Sequence, residues 1–210
     1  MLMVKKFRLL LGGFSMLASM ASLAQVSPLN ELQALLKPVV TIKANFTQAV
    51  INKQAKVIQK SSGNMEFKRP NLFRWQIENP DPTLIVTDGK KMWNYDAELE
   101  QVTVQNFRSN SEVSPISFLF DDVEQLNRNF NIIKVTTAKA TFKLTPKQEN
   151  SSFVSVELSF EQNSIKDLRL LDHLGQTSLF NFTQVQNNPK IANNRFTFVP
   201  PFGVDVIGEL

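Results

Sequence analysis

The sequence predicts a mainly β fold, an antiparallel meander of about ten strands curved around an apolar concave side that short helices cover. Three observations carry this expectation. Alternation of apolar and polar residues with period two runs through most of the chain from Ile42 onward. Short turn signals separate the alternating runs, and no shift in composition marks a second domain. Two apolar stretches with helical character interrupt the pattern, one before the first strand and one between two groups of strands.

The N-terminus is set apart first. Lys5, Lys6 and Arg8 precede an uncharged apolar stretch from Leu9 to Ala21, and Ser22-Leu23-Ala24 supplies small residues of the kind a signal peptidase reads. The stretch is short against the roughly 20 residues of a bilayer span. Residues 1–24 are therefore expected to be a cleaved signal peptide, cut before Gln25, which leaves residues 25–210 as a single domain. Removing the three leader cations takes the basic residues from 23 to 20 against 19 acidic ones, so the net charge falls from +4 to +1. No electrostatic case for nucleic acid survives that change. The chain has no cysteine, so packing alone must stabilise it. Gln25, standing where a lipidated cysteine would be, points to a protein that is not itself a lipoprotein. A soluble, periplasmic, monomeric chain is the expectation.

Ser27 and Pro28 read as an N-cap followed by proline at the first helical position. Leu29, Leu32, Leu35, Leu36 and Val39 repeat at helical spacing, and Pro38 should end the helix nearby. Ile42, Ala44, Phe46 and Gln48 alternate with polar neighbours. Met65, Phe67 and Arg69 share one parity, and Phe73, Trp75 and Ile77 follow after the Pro70-Asn71 break. Leu84-Ile85-Val86 leads into Asp88-Gly89, a two-residue hairpin signal, with Trp93 and Tyr95 on the return strand. Strands are then expected over 100–104, 130–135, 140–144, 154–160, 165–171 and 177–185. Between the two groups lies the segment 109–127. Ser114-Pro115 can start a helix in which Ile116, Phe118, Leu119 and Phe120 are apolar all round, and Asp121-Asp122 can cap a turn running to Leu126. Such a helix must cover something.

The inventory for catalysis is thin. His173 is the sole histidine, and no G-x-S-x-G or H-E-x-x-H pattern occurs. A hydrolase would have to use His173 with Asp172 as its orienting group, but the pair sits where a strand runs into a turn. Scattered carboxylates do not make a metal site. No catalytic residue, metal or cofactor is expected. What is in surplus is phenylalanine, 17 against one tyrosine and two tryptophans. Membrane barrels carry outer belts of tyrosine and tryptophan, which this chain lacks, so the apolar parity should face inward.

Arg69 is the odd residue on that parity. An arginine there must find partners or water. Its fork of donors suits backbone carbonyls of a covering helix, which would make it a latch between sheet and lid. Alternatively it sits at the strand's mouth beside Pro70 and reaches solvent. The residues leave both readings open.

The run Lys68-Arg69-Pro70-Asn71-Leu72-Phe73-Arg74-Trp75 resembles the most distinctive motif of the LolA family. Phe46-Thr47-Gln48, Leu84-Ile85-Val86-Thr87-Asp88-Gly89 with Trp93 and Tyr95, Glu100-Gln101 and the closing 196–204 run also fit that family. The resemblance implies an unclosed antiparallel β-barrel of about eleven strands, with short helices covering a concave hydrophobic cavity. It implies a periplasmic chaperone for acylated lipoproteins, loaded by an inner-membrane lipoprotein-releasing ABC transporter and unloaded to an outer-membrane lipoprotein receptor. Arg69 would be the lid latch, and Phe73 would lie near the cavity mouth and act in transfer. Phe46, Met65, Phe67, Trp75 and Phe142 are expected in the cavity, with Leu84, Val86, Trp93 and Tyr95. Ile116, Phe118, Leu119 and Phe120 would belong to the lid. A sensor or adaptor of the same fold is the competing reading.

Overall fold

The computed structural model describes residues 26–107, 123–135 and 140–208. The expected leader and the apolar run Ile116, Phe118, Leu119 and Phe120 lie outside the described residues.

The first helix, α1, spans Pro28–Leu36. Ser27 caps it in extended geometry, its Oγ accepting from the Asn30 N–H at 3.2 Å, with Pro28 at the first helical position. Leu32 and Leu36, one turn apart, point to the same side and are buried. Six strands follow: β1 Thr41–Ile51, β2 Val57–Lys68, β3 Leu72–Asn79, β4 Thr83–Asp88, β5 Lys91–Asp96 and β6 Gln101–Asn106. A short helix α2, Val123–Asn129, leads into β7 Phe130–Val135, β8 Ala140–Pro146, β9 Phe153–Glu161, β10 Ser164–Asp172 and β11 Thr177–Asn187. A 3-10 turn at Asn193–Phe196 and a strand β12, Asp205–Gly208, end the described chain.

All twelve strands form one sheet in the order β12-β6-β5-β4-β3-β2-β1-β11-β10-β9-β8-β7. Neighbours pair antiparallel, including β1 and β11, which are far apart in sequence; the exception is β12, which runs parallel to β6. Among the described residues the sheet ends at β12 and β7 and does not close. Sequence reasoning expected about ten strands from alternation, and the family likeness about eleven. The extra one is β12, a four-residue strand whose partner lies a hundred residues earlier. The β4–β5 loop is Gly89-Lys90, with Gly89 at φ 86°, one position later than an Asp88-Gly89 centre. Asp88 holds the loop through its side chain, which accepts from the N–H groups of Lys90 and Lys91, both at 2.8 Å.

Register decides which side chains share a face. Phe46 pairs with Phe182 on one side and Gly63 on the other, and Met65 pairs with Trp75, Phe67 with Phe73. Across β8 to β10 the same face carries Phe142, Leu144, Val156, Leu158 and Leu168. These residues form the main core together with Leu32 and Leu36 of α1 and Leu126 of α2. The helices thus fill the apolar face of the sheet, as a face this rich in phenylalanine demands.

Four expected cavity residues lie elsewhere. Leu84 pairs with Gln76 and Val86 with Arg74, while Val86 and Leu84 pair in turn with Trp93 and Tyr95. All four therefore face away from Phe46 and Trp75, and it is Ile85, paired with Trp75, that joins the main core. Trp93 forms a second cluster with Val102 and Val104, packed against Tyr95, Phe198 and Val204. The C-terminal segment covers that outer face, so an unbroken Leu-Ile-Val run has both faces buried and its parity carries no sign of which is inner.

Candidate functional site

At the centre of the inner face, the Phe46 ring stacks on Trp75 with centroids 3.8 Å apart. Phe180 meets Trp75 edge-on at 5.7 Å, and Phe73 extends the stack at 6.0 Å. The edge-on Phe180–Trp75 contact is one in which ring quadrupoles attract, while the close Phe46–Trp75 stack is held by dispersion and burial. Phe46 can lean across β2 because its partner there is Gly63, which has no side chain. Phe73 is 5 % exposed, buried rather than standing at an open rim, and Phe46, Met65, Phe67, Trp75 and Phe142 are all buried in the same core.

Arg69 follows β2 and keeps the parity of Met65 and Phe67. Its backbone N–H donates to Val40 O at 2.9 Å, which holds the residue in register beside β1. Its Nε donates to Val39 O at 3.0 Å, and its Nη2 reaches Leu36 O at 3.5 Å. Leu36 is the last residue of α1, where carbonyls lack helical partners and the helix dipole favours a cation. Of the two readings the sequence left open, the geometry matches the contact to the helix end. Beneath it, Leu36, Phe67, Arg69 and Ile165 bound a void of about 20 Å³, room for about one water.

A second cation shares the inner parity, and sequence reasoning missed it. Lys134 on β7 pairs with Phe142 and follows Ile132, which pairs with Leu144. Its Nζ makes an ion pair with Glu31 in the first turn of α1. The signal that singled out Arg69, a cation on an apolar parity, was present here too in Phe130, Ile132 and Lys134.

The outer face has its own electrostatics. Glu66, 4 % exposed, accepts from Arg195 Nε at 2.7 Å and lies 3.6 Å from Lys43 Nζ. Lys68 Nζ donates to the Asn193 side chain at 2.7 Å. Together these pin the C-terminal segment to β2. Burial lowers the pKa of Arg74 beside them, repulsion from Arg195 adds to the effect, and Glu66 opposes it.

Among the described residues, His173 and Asp172 contact no serine hydroxyl and do not face one another as a triad would. The His173 Nε2 lies 2.8 Å from the Ser151 carbonyl, and Asp172 uses Oδ1 to accept from the Gln176 N–H at 2.7 Å, closing a turn.

A sheet that curls without closing, with a helix seated on its aromatic face and held at its end by a cation, defines a lidded, unclosed β-barrel. The fold recurs in an uncharacterized conserved protein from Thermus thermophilus at a TM-score of 0.55 and 12% identity, covering 85% of this chain and 97% of that one. The family is shown by sequence. Residues 37–199 match the model of "Outer membrane lipoprotein carrier protein LolA", and the chain belongs to the LolA family. Proteins named outer-membrane lipoprotein carrier protein are 37% identical over 189 residues in Dechloromonas aromatica, covering 89% of this chain and 90% of that protein. In Legionella pneumophila (strain Corby) the figure is 40% over 179 residues, covering 85% and 88%.

Proposed function

We propose that this protein is a periplasmic carrier that hides the acyl chains of lipoproteins on their way to the outer membrane. The observation that carries the reading is the aromatic inner face stoppered by α1, a helix held through polar contacts as well as by packing. Each methylene taken from water is worth about 0.8 kcal/mol, so a free acylated protein would not leave a membrane unaided. A phenylalanine-rich face offers that affinity without direction, and nothing polar must break on release.

The void of about 20 Å³ beneath Arg69 cannot hold an acyl chain, and the groove of about 540 Å³ beside α1, over Ala140 and Phe142, stands open to solvent. To bury a chain against the aromatic cluster itself, α1 moves off the face and cargo replaces Leu32 and Leu36. Lid closure after delivery keeps that apolar face from sticking to other surfaces. In this scheme Arg69 is the latch that holds the empty, closed form, and Phe73 becomes exposed for transfer only once the lid lifts. An inner-membrane ABC transporter would supply the energy for loading, and an outer-membrane receptor would take the cargo. The carrier would act as a monomer.

The reading is tested by titrating the purified protein with a fluorescent fatty acid and displacing the probe with an acylated lipoprotein. Binding and displacement are expected. Absence of probe binding, with no lipoprotein co-purifying from a periplasmic extract, would sink it.

A further inference from the structure

The lid helix has two ends, and Arg69 reaches its C-terminal one. Its donors reach carbonyls at Leu36 and Val39, at the C-terminal end of α1. Glu31, in the helix's first turn, is paired with Lys134 of β7. In strand order β2 and β7 are separated by β1, β11, β10, β9 and β8, and β7 is the sheet's free end. The helix is thus tied at one end near the middle of the sheet and at the other to its edge strand, bridging the open side.

Packing alone does not call for a lysine at position 134. Its cross-strand partner Phe142 and the next inward residue Leu144 are fully buried, and Ile132 before it is apolar. A cation on this parity is explained by its carboxylate partner on the lid. The two ties also differ in kind. Arg69 binds backbone oxygens, which any sequence at positions 36 and 39 would present. Lys134 and Glu31 form a side-chain pair, with exposures of 45 % and 32 %, open to water and to screening by salt.

We propose that Lys134 and Glu31 form a second lid latch, one that yields first and lets α1 swing about the Arg69 end to admit an acyl chain. The inference rests on the carrier reading. Glu31 remains favourable near the helix N-terminus after release, so α1 stays folded while it swings. Opening from the β7 edge exposes the inner face on the side where the sheet is unclosed.

The test is the rate at which anthroyloxy-labelled palmitate enters the purified protein, followed by stopped-flow fluorescence at low and high salt. Lys134→Met and Glu31→Gln should each speed entry by about threefold to fivefold at low salt, the range an exposed ion pair can supply. The double variant should be no faster than either single one, and the reversed pair, Glu31→Lys with Lys134→Glu, should return the rate toward wild type. High salt should speed the wild type and leave the single variants unchanged. Entry rates unaltered in both single variants, or effects that simply add in the double variant, would overturn the latch while leaving the carrier intact. Wild type that binds no probe at any salt would instead overturn the carrier reading itself.

Discussion

Gly63 lies across from Phe46, beneath the inner aromatic stack. A Cβ there would lie 1.8 Å from Gln76 O, a backbone atom that cannot step aside alone. Gly63→Ala should therefore force β2 and β3 apart beneath Phe46 and Trp75 and cost at least ~2 kcal/mol, as overpacking in a close-packed core does. Urea unfolding checks the loss. Arg69 was readable from the sequence because a charge on an apolar parity demands a partner, although which partner was not. Removing the charge by Arg69→Leu should leave a folded protein whose closed state is less favoured. A shift toward the open form makes probe uptake faster and transfer to an acceptor slower. Stopped-flow uptake and release into acceptor vesicles measure the two, and wild-type values for both would rule the latch out. Lys134 carried the same signal as Arg69 in plain view. Gly63 carried none, since a glycine's neighbours across strands are fixed by register, which a single sequence does not display.

Elements announced themselves where the determinants are local. Helix α1 was legible because its cap, its proline and its leucine spacing all lie within a dozen residues. The hairpins were legible through alternation and turn residues. Strand β12 was not, because it is short and its pairing with β6 joins residues a hundred positions apart. The same C-terminal segment explains the misplacement of Leu84, Val86, Trp93 and Tyr95. Alternation tells which residues share a face, but Leu84-Ile85-Val86 is apolar on both, and what covers the outer one arrives only after residue 190. Phe196, 1 % exposed, anchors this segment beside the Arg195–Glu66 contact. Phe196→Ala should cost about 3–5 kcal/mol locally and raise the accessibility of Trp93 to a quencher. Amide protection in α1, on the opposite face, should not change. Loss of protection on both faces together would mean that the two cores act as one unit.

At the scale of the whole molecule, the division of labour between the faces explains the chain's composition. The charge balance of the expected mature protein is close to neutral, and most of the described phenylalanines gather on one side of a single sheet. Among the described residues the twelve strands form one unclosed sheet, and α1 lies across its inner face from β2 to the β7 end. Closed, the inner face is packed with the helices' own leucines. In the proposed open form it would offer an acyl chain the area those leucines gave up. In the proposed cycle cargo displaces α1, and hydrogen exchange of the α1 amides, measured with and without bound acylated lipoprotein, reads that displacement. Cargo should strip protection from Leu32 to Leu36 while β1 and β2 keep theirs. Protection of α1 that is unchanged or increased in the loaded protein would contradict it.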